Sequence, residues 1–194
     1  MKRFFKGLPS TKDFLETVKS FNGNPTIFVF DDLGHILTSP KSELDIDSIL
    51  TTYSHHLNIT CFFLLHHLFG SPQLRNLSLS CHYFILLDSP RDKSMINTFA
   101  RQAFPQKSSF LVDSYTDATS EKYGHLLICL KPPVNKLTQV SSKILDRNPV
   151  YYIPYNNSFR KMYLISDEVY IILNYTLNLF STNLFYRNII TVIY

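Results

Sequence analysis

The stretch that decides the fold is Thr26-Ile27-Phe28-Val29-Phe30-Asp31-Asp32-Leu33, an apolar run that ends in two adjacent carboxylates. Consecutive bulky apolar residues are typical of a strand that is buried on both faces of a parallel sheet. Open α/β sheets bind their ligands outside the carboxyl ends of such strands, which is where Asp31 and Asp32 fall. The same pattern also occurs where an acid only begins a turn or caps the next helix. The pair alone therefore leaves both interpretations open.

The rest of the chain alternates apolar runs with helical patterns. A capping-box pattern at Ser10 predicts a first helix, and Gly23-Asn24-Pro25 ends it before the first strand. Strands that alternate with helices predict an α/β fold, here an incomplete RecA-like, mostly parallel sheet with helices on both faces. Further buried strands are predicted over 59–65, 82–87 and 126–130, and further helices after Ser39-Pro40 and after Asp92.

Length and composition favour one globular domain with a real core. The chain has 194 residues, of which 45% are apolar and 18% charged, a globular rather than a disordered balance. The net charge is only +4, so any nucleic-acid contact has to come from a local basic patch. Cys61 and Cys81 lie in apolar runs and are expected to be buried thiols without a disulfide partner. The N-terminus lacks the apolar run of a signal peptide, which predicts a cytoplasmic or nuclear location.

The composition changes near residue 160, where Tyr, Ile, Asn, Leu and Phe become frequent. We therefore divide the chain into residues 1–159 and a hydrophobic tail over 160–194. Residues 164–184 are apolar enough to raise a membrane helix, but Asp167 and Glu168 make insertion costly, so we expect no membrane partner. The tail either adds an element to the sheet or is sequence acquired beyond a truncated ancestral frame.

Several segments after the first strand follow one another in a characteristic order. They are Tyr53-Ser54-His55-His56-Leu57-Asn58-Ile59-Thr60, Leu77-Ser78-Leu79-Ser80-Cys81-His82-Tyr83, Ser89-Pro90-Arg91-Asp92-Lys93-Ser94 and Ala100-Arg101-Gln102-Ala103-Phe104-Pro105. Together they resemble the packaging-type ATPases of Polinton/Maverick transposons and related DNA viruses, which belong to the FtsK/HerA group of P-loop motors. The resemblance runs from about Gly7 to about Pro154. Separated motifs in a fixed order are more specific than one pair of acids.

The resemblance implies roles for the two acids. Asp31 is the Walker B acid that holds Mg²⁺ beside ATP, and Asp32 is the acid next to the attacking water, close enough to the ion to count as a second ligand. Elementary electrostatics agrees, because a cation offsets the repulsion between adjacent carboxylates and hard cations prefer oxygen ligands.

The next strand ends differently from the family pattern. Members of the family carry Gln-Asn before Leu-Phe, in a position that can sense the terminal phosphate, whereas this chain has His66-His67-Leu68-Phe69. Histidine can donate a hydrogen bond to a phosphate, but its shape and charge state differ from those of an amide. We name His66 as the candidate sensor. The alternative is that one histidine packs beneath the strand end while the other is solvated.

Basic residues supply the remaining candidates. Arg75 matches an arginine of the family that could reach a neighbouring subunit's nucleotide, although a solvated loop arginine is the simpler account. Lys93 and Arg101 lie two turns apart on one helical face and could contact DNA phosphates, although such spacing is more often a solvated face. The resemblance implies double-stranded DNA and a homo-oligomer or a full-length relative as partners.

Two further patterns bear on metal binding and on nucleotide binding. A metal site built from His55-His56 and His66-His67 is rejected, because neighbours on an extended segment point in opposite directions and no closed-site spacing is present. The phosphate loop of the family, Gly-x-x-x-x-Gly-Lys-Ser/Thr, stands nowhere in the sequence. That loop's backbone amides and lysine hold the phosphates. The chain is therefore expected to be an N-terminally truncated part of a motor domain that does not hydrolyse ATP alone.

Overall fold

The computed structural model describes residues 5–34, 39, 42–131, 135–155, 158–163 and 189–193. These residues fall into two compact units, the first ending at Cys81 and the second beginning at His82. The last described strand, β8, covers Ile189–Ile193. Of the predicted tail, residues 160–163 belong to a strand of the second unit, and 164–188 lie outside the described residues.

The first unit is a β-α-β arrangement with an additional helix at each side. Its elements are α1 (Thr11–Ser20), β1 (Thr26–Asp31), α2 (Ile46–Ser48), a π-helical turn (Ile49–Tyr53), α3 (Ser54–His56), β2 (Ile59–Leu65) and α4 (Pro72–Ser80). The first helix begins as the sequence predicts, because the Asp13 amide donates to the Ser10 hydroxyl at 3.1 Å. Strands β1 and β2 are parallel and run from the pair Thr26–Ile59 to the pair Asp31–Leu64.

The aromatic core of this unit lies against one face of β1, whereas β2 has consecutive buried residues. The rings of Phe14 on α1 and Phe28 on β1 are 4.2 Å apart, and Phe30 stacks on Phe63 at 4.8 Å. The opposite face of β1 is open, because Ile27 is 53% and Val29 60% exposed. Burial of β1 on both faces, as its apolar run predicted, is therefore wrong. Continuous apolarity does not report which alternate residues are covered.

The second unit is mixed. Its elements are β3 (Tyr83–Leu87), α5 (Lys93–Ala103), α6 (Ser108–Ala118), β4 (His125–Cys129), β5 (Val140–Ser142), β6 (Val150–Tyr155) and β7 (Ser158–Tyr163). The strands β3 to β7 form a five-stranded antiparallel sheet in chain order. Helix α5 follows Asp92 as predicted, and its buried residues are Met95, Ile96, Phe99 and Ala100.

The α/β class is confirmed, but the described sheets are not mostly parallel. A parallel crossover needs a dozen or more residues, whereas β6 and β7 are joined by residues 156 and 157 alone. Between β3 and β4 the chain passes through two helices, not one. One helix carries the chain back along the sheet and the second returns it to the end at which β3 finished. Strand β4 therefore starts at that end and runs antiparallel to β3.

Cys61 and Cys81 are both buried, as expected, and neither forms a disulfide in the part of the chain that the structure describes. Burial raises the pKa of the Cys61 thiol to about 12. In the described part of the chain, no helix is long and apolar enough to cross a membrane.

Candidate strand-end site

The ends of the two parallel strands bring Asp32 and His66 together. Asp31 is paired with Leu64 in the last register position, and the Asp32 amide donates to the Leu64 carbonyl at 3.2 Å. One residue beyond β2, the His66 Nε2 atom lies 3.5 Å from the Asp32 Oδ1 atom. We call Asp31, Asp32 and His66 the strand-end cluster. Parallel pairing is what places the ends of both strands at the same edge.

The backbone bends sharply within this cluster. Asp31 is the last residue of β1, while Asp32 has a φ angle of +51° in the left-handed region. Side chains other than glycine rarely adopt that region, although aspartate and asparagine tolerate it better than most. Asp31 stays on the open face of β1, and the turn at Asp32 directs the chain away from the strand. The two carboxylates therefore project from different backbone conformations.

The cluster is open to solvent. The side chains of Asp32 and His66 are 67% and 50% exposed, and Asp31 is exposed as well. Pairs this exposed contribute between zero and about 1 kcal/mol to stability. The 3.5 Å contact thus orients two side chains without contributing much to the fold.

The donor set suits one kind of cation. Across the described ranges, no group of three or more His, Cys, Asp or Glu side chains is placed to hold a metal ion. Magnesium commonly binds through one or two carboxylates and keeps several waters or phosphate oxygens as its other ligands. In residue type, two adjacent carboxylates suit that open arrangement better than a closed site made of protein ligands alone.

The exposure of the two histidines contradicts the packed arrangement that was the alternative to a phosphate-sensing role. His66 and His67 are both exposed, so neither packs beneath the strand end. The segment that carries His55 and His56 is helical, not extended, because the π-helical turn continues into α3. The geometric reason given against a four-histidine metal site was therefore wrong.

Arg75 belongs to the first unit but is not part of the strand-end cluster. It occupies the exposed surface of α4, a helix that starts when the Ser71 hydroxyl accepts from the Leu74 amide at 3.2 Å. Arg75 is therefore solvated, as the simpler account expected, but it lies on a helix and not in a loop. The Ser71-Pro72 pair was the signal for the helix, since serine is a common N-cap and proline fits the first turn.

The DNA candidates belong to the second unit. Lys93 and Arg101 both lie on α5 and are both exposed. The Lys93 ammonium is 3.2 Å from the Asp88 carboxylate, which compensates part of its charge. Asp92 caps the helix by accepting from the Ser94 and Met95 amides. Two cations on one helix form a small basic patch at most.

The second unit also contains a polar cavity that no sequence pattern indicated. The cavity, of about 280 Å³, lies between the end of α6 and the strands β5 to β7. On its floor the Tyr152 hydroxyl donates to Asp117 at 2.7 Å, and the Lys161 ammonium is 2.7 Å from the other Asp117 oxygen. Burial raises the pKa of Tyr152 above its usual range. Nothing in the sequence signals the cavity, because its residues are distant along the chain and meet only through the β6–β7 hairpin.

Comparisons of the chain with family models, with curated proteins and with solved structures find no match. The residues themselves therefore carry the functional argument.

Proposed function

We propose that this chain is a remnant of an ATP-driven DNA-packaging or translocation motor of transposon or viral origin, of the FtsK/HerA type. The observation that supports the proposal is the convergence of Asp32 and His66 at the ends of two adjacent parallel strands. A motor of this class requires an acid and a polar phosphate-sensing residue on neighbouring strands. An acid that only begins a turn requires no such neighbour.

The proposal assigns one role to each member of the cluster. Asp31 and Asp32 supply the oxygen ligands that Mg²⁺ prefers, and Asp32 accepts a hydrogen bond from the attacking water. The Nε2–H of His66 would be donated to Asp32 or, with nucleotide bound, to a phosphate oxygen. Bound Mg²⁺-ATP would supply the transferable phosphoryl group and the charge that offsets the two carboxylates. In this scheme the first unit corresponds to the magnesium-facing part of a RecA-like sheet.

The proposal also predicts weak chemistry by this chain alone. The sequence contains no Gly-x-x-x-x-Gly-Lys-Ser/Thr loop. Without those backbone amides and that lysine, the phosphates lose their main anchor. The replacement of an amide pair by His66-His67 alters the sensing position as well. We therefore expect phosphate release no faster than that of an inactive variant.

A second candidate function follows from the same absence. A non-catalytic subunit that joins an intact motor or DNA needs no phosphate loop, and the uncovered Ile27 and Val29 face offers a surface for such assembly. Arg75, Lys93 and Arg101 would then serve contacts to a neighbouring subunit or to DNA. A degenerate mobile-element product without a role is the third reading, and uncovered apolar surface fits it too.

The first experiment tests the cation site. We expect substoichiometric Mn²⁺ to broaden the backbone NMR signals of residues 31–33 and 65–67 before those of other exposed acids, because the ion needs two adjacent carboxylates. Asp31→Asn and Asp32→Asn should each abolish this preference. Asp146→Asn, which removes an exposed acid of the second unit, should leave it unchanged. Uniform broadening across all acidic residues would contradict the assignment.

The second experiment separates the candidate functions. Phosphate release that disappears in Asp31→Ala would show a working motor and refute our expectation of inactivity. Concentration-dependent co-assembly with a packaging ATPase that has an intact phosphate loop, without turnover by this chain, would support the assembly subunit. Absence of a cooperative thermal transition would favour the degenerate product. Analytical ultracentrifugation, a phosphate-release assay and calorimetry provide the three measurements.

A further inference from the structure

We propose that the cavity of the second unit binds a small ligand through an oxyanion group, a carboxylate or a phosphate. We call it the hairpin cavity, after the β6–β7 hairpin that supplies Tyr152 and Lys161 to it. Other polar residues that line it are Asp117, Ser120, Glu121, Ser142 and Lys143. The inference is independent of the strand-end cluster, which lies in the first unit.

The hydroxyl groups that line the cavity already donate their protons to other protein groups. Tyr152 has one phenolic proton, and it is donated to Asp117 at 2.7 Å. The Ser142 hydroxyl lies 3.2 Å from the Tyr152 oxygen, so Ser142 must be the donor of that bond. At the rim, the Ser120 hydroxyl donates to the Asp117 carbonyl at 2.7 Å. These three protons point into the protein and not toward a ligand.

The two ammonium groups keep donors to spare. Among the described residues, the Lys161 ammonium contacts one carboxylate oxygen of Asp117, which uses one of its three N–H groups. The Lys143 ammonium lies 3.0 and 3.1 Å from the two oxygens of Glu121. At least one N–H of each lysine is therefore available. Donors that carry positive charge select a ligand with charged acceptor oxygens.

The two ion pairs differ in how easily a ligand could replace a partner. Lys161 and Asp117 are 35% and 29% exposed, and Asp117 also accepts from the buried Tyr152 hydroxyl. Glu121 is 69% exposed and its carboxylate is held by Lys143 alone among the described contacts. Exposed ion pairs contribute little to stability. An incoming oxyanion would therefore displace Glu121 from Lys143 and take a second hydrogen bond from Lys161, while Asp117 stays in place.

From this arrangement we predict that removal of the Glu121 carboxylate strengthens anion binding. In Glu121→Gln the competing carboxylate is absent, and we expect the affinity for the anion to rise by about two- to fivefold. In Lys143→Gln it should fall by at least as much. Lys122→Gln is the matched control, because Lys122 is exposed beside these residues, lies over the Tyr123 ring and does not line the cavity.

The test is a titration of the intact, ¹⁵N-labelled chain with inorganic phosphate and, separately, with acetate, at ionic strength matched by sodium chloride. We expect saturable shifts of the backbone amides of residues 120–121, 142–143 and 161 with millimolar affinity. Saturation by either anion supports the proposal, and the tighter of the two identifies the source of the oxyanion. Equal affinities in Glu121→Gln, Lys143→Gln and Lys122→Gln, or shifts reproduced by chloride, would overturn it. All three substitutions are at exposed side chains, so loss of folding does not confuse the comparison.

Discussion

The left-handed backbone at Asp32 predicts that replacement by glycine affects the free energy of unfolding differently at Asp32 and at its neighbour Asp31. Asp31 has strand geometry and Asp32 has a φ angle of +51°. Glycine adopts the left-handed region without a steric cost, whereas other residues lose about 1–2 kcal/mol there, aspartate at the lower end. Glycine also loses more backbone entropy on folding, which costs about 0.5–1 kcal/mol in a regular strand. At Asp32 the steric relief that glycine brings offsets its entropy cost. At Asp31, which has strand geometry, only the entropy cost applies.

We therefore expect Asp31→Gly to lower the free energy of unfolding by about 1 kcal/mol and Asp32→Gly to leave it within about 0.5 kcal/mol of the parent value. Both substitutions remove one carboxylate from the same edge, so the change in charge is matched. The 3.5 Å contact of Asp32 with His66 is the one unequal loss. Because both side chains are exposed, that loss is expected to be small.

The assay is urea unfolding followed by circular dichroism, with the midpoint and slope fitted for each variant. Asp32→Ala is the third variant, since alanine has neither the freedom of glycine nor the tolerance of aspartate, and it should be the less stable of the two variants at position 32. If Asp31→Gly and Asp32→Gly lose the same free energy, the left-handed conformation costs nothing and the reasoning fails.

Three further predictions concern the fold. Gly124→Ala should lower the free energy of unfolding by about 2–3 kcal/mol, because the new Cβ would lie 2.3 Å from a backbone carbonyl oxygen. Gly70→Ala is the control and should be nearly neutral in the same urea assay, since the nearest atom to its new Cβ is a side-chain atom at 3.6 Å. Since the pKa of the buried Cys61 is raised to about 12, only the unfolded thiol ionises above about pH 9, so stability should fall with rising pH by about 1.4 kcal/mol per unit more in the parent than in Cys61→Ala. A lack of difference between those slopes would refute the assigned burial. The pair of substitutions Ile27→Thr and Val29→Thr should reduce self-association in light scattering without lowering the melting temperature, because both side chains are more than half exposed; a large loss of stability would show that this face is covered.

The sequence predicts those parts of the fold that depend on local patterns. The Ser10 cap, the bounds of β2 and the start of α5 after Asp92 all follow from spacing and capping, because these signals lie within a few residues of one another. The direction of strand pairing does not follow from such signals. An apolar run such as Leu126 to Leu130 looks alike in parallel and antiparallel sheets, and only the connections decide between them.

The same distinction explains which site was predicted. Asp32 and His66 meet because parallel strands bring their carboxyl ends to one edge, a rule that holds before any coordinates are known. The hairpin cavity has no such rule. Asp117 comes from a helix that the apolar pattern did not reveal, and Lys161 comes from a strand assigned to the boundary of the tail. Their 2.7 Å contact depends on the packing of α6 against the β6–β7 hairpin.

The strand-end cluster combines features that a fold alone would not favour. Asp32 adopts a backbone conformation that glycine would adopt more easily, and its partner His66 adds little stability at 50% exposure. The neighbouring face of β1 leaves Ile27 and Val29 uncovered. Single substitutions could remove the exposed apolar surface, and proteins tend to keep such surface where a ligand or a partner uses it. The exposed apolar face beside two adjacent carboxylates is what the binding edge proposed above would explain.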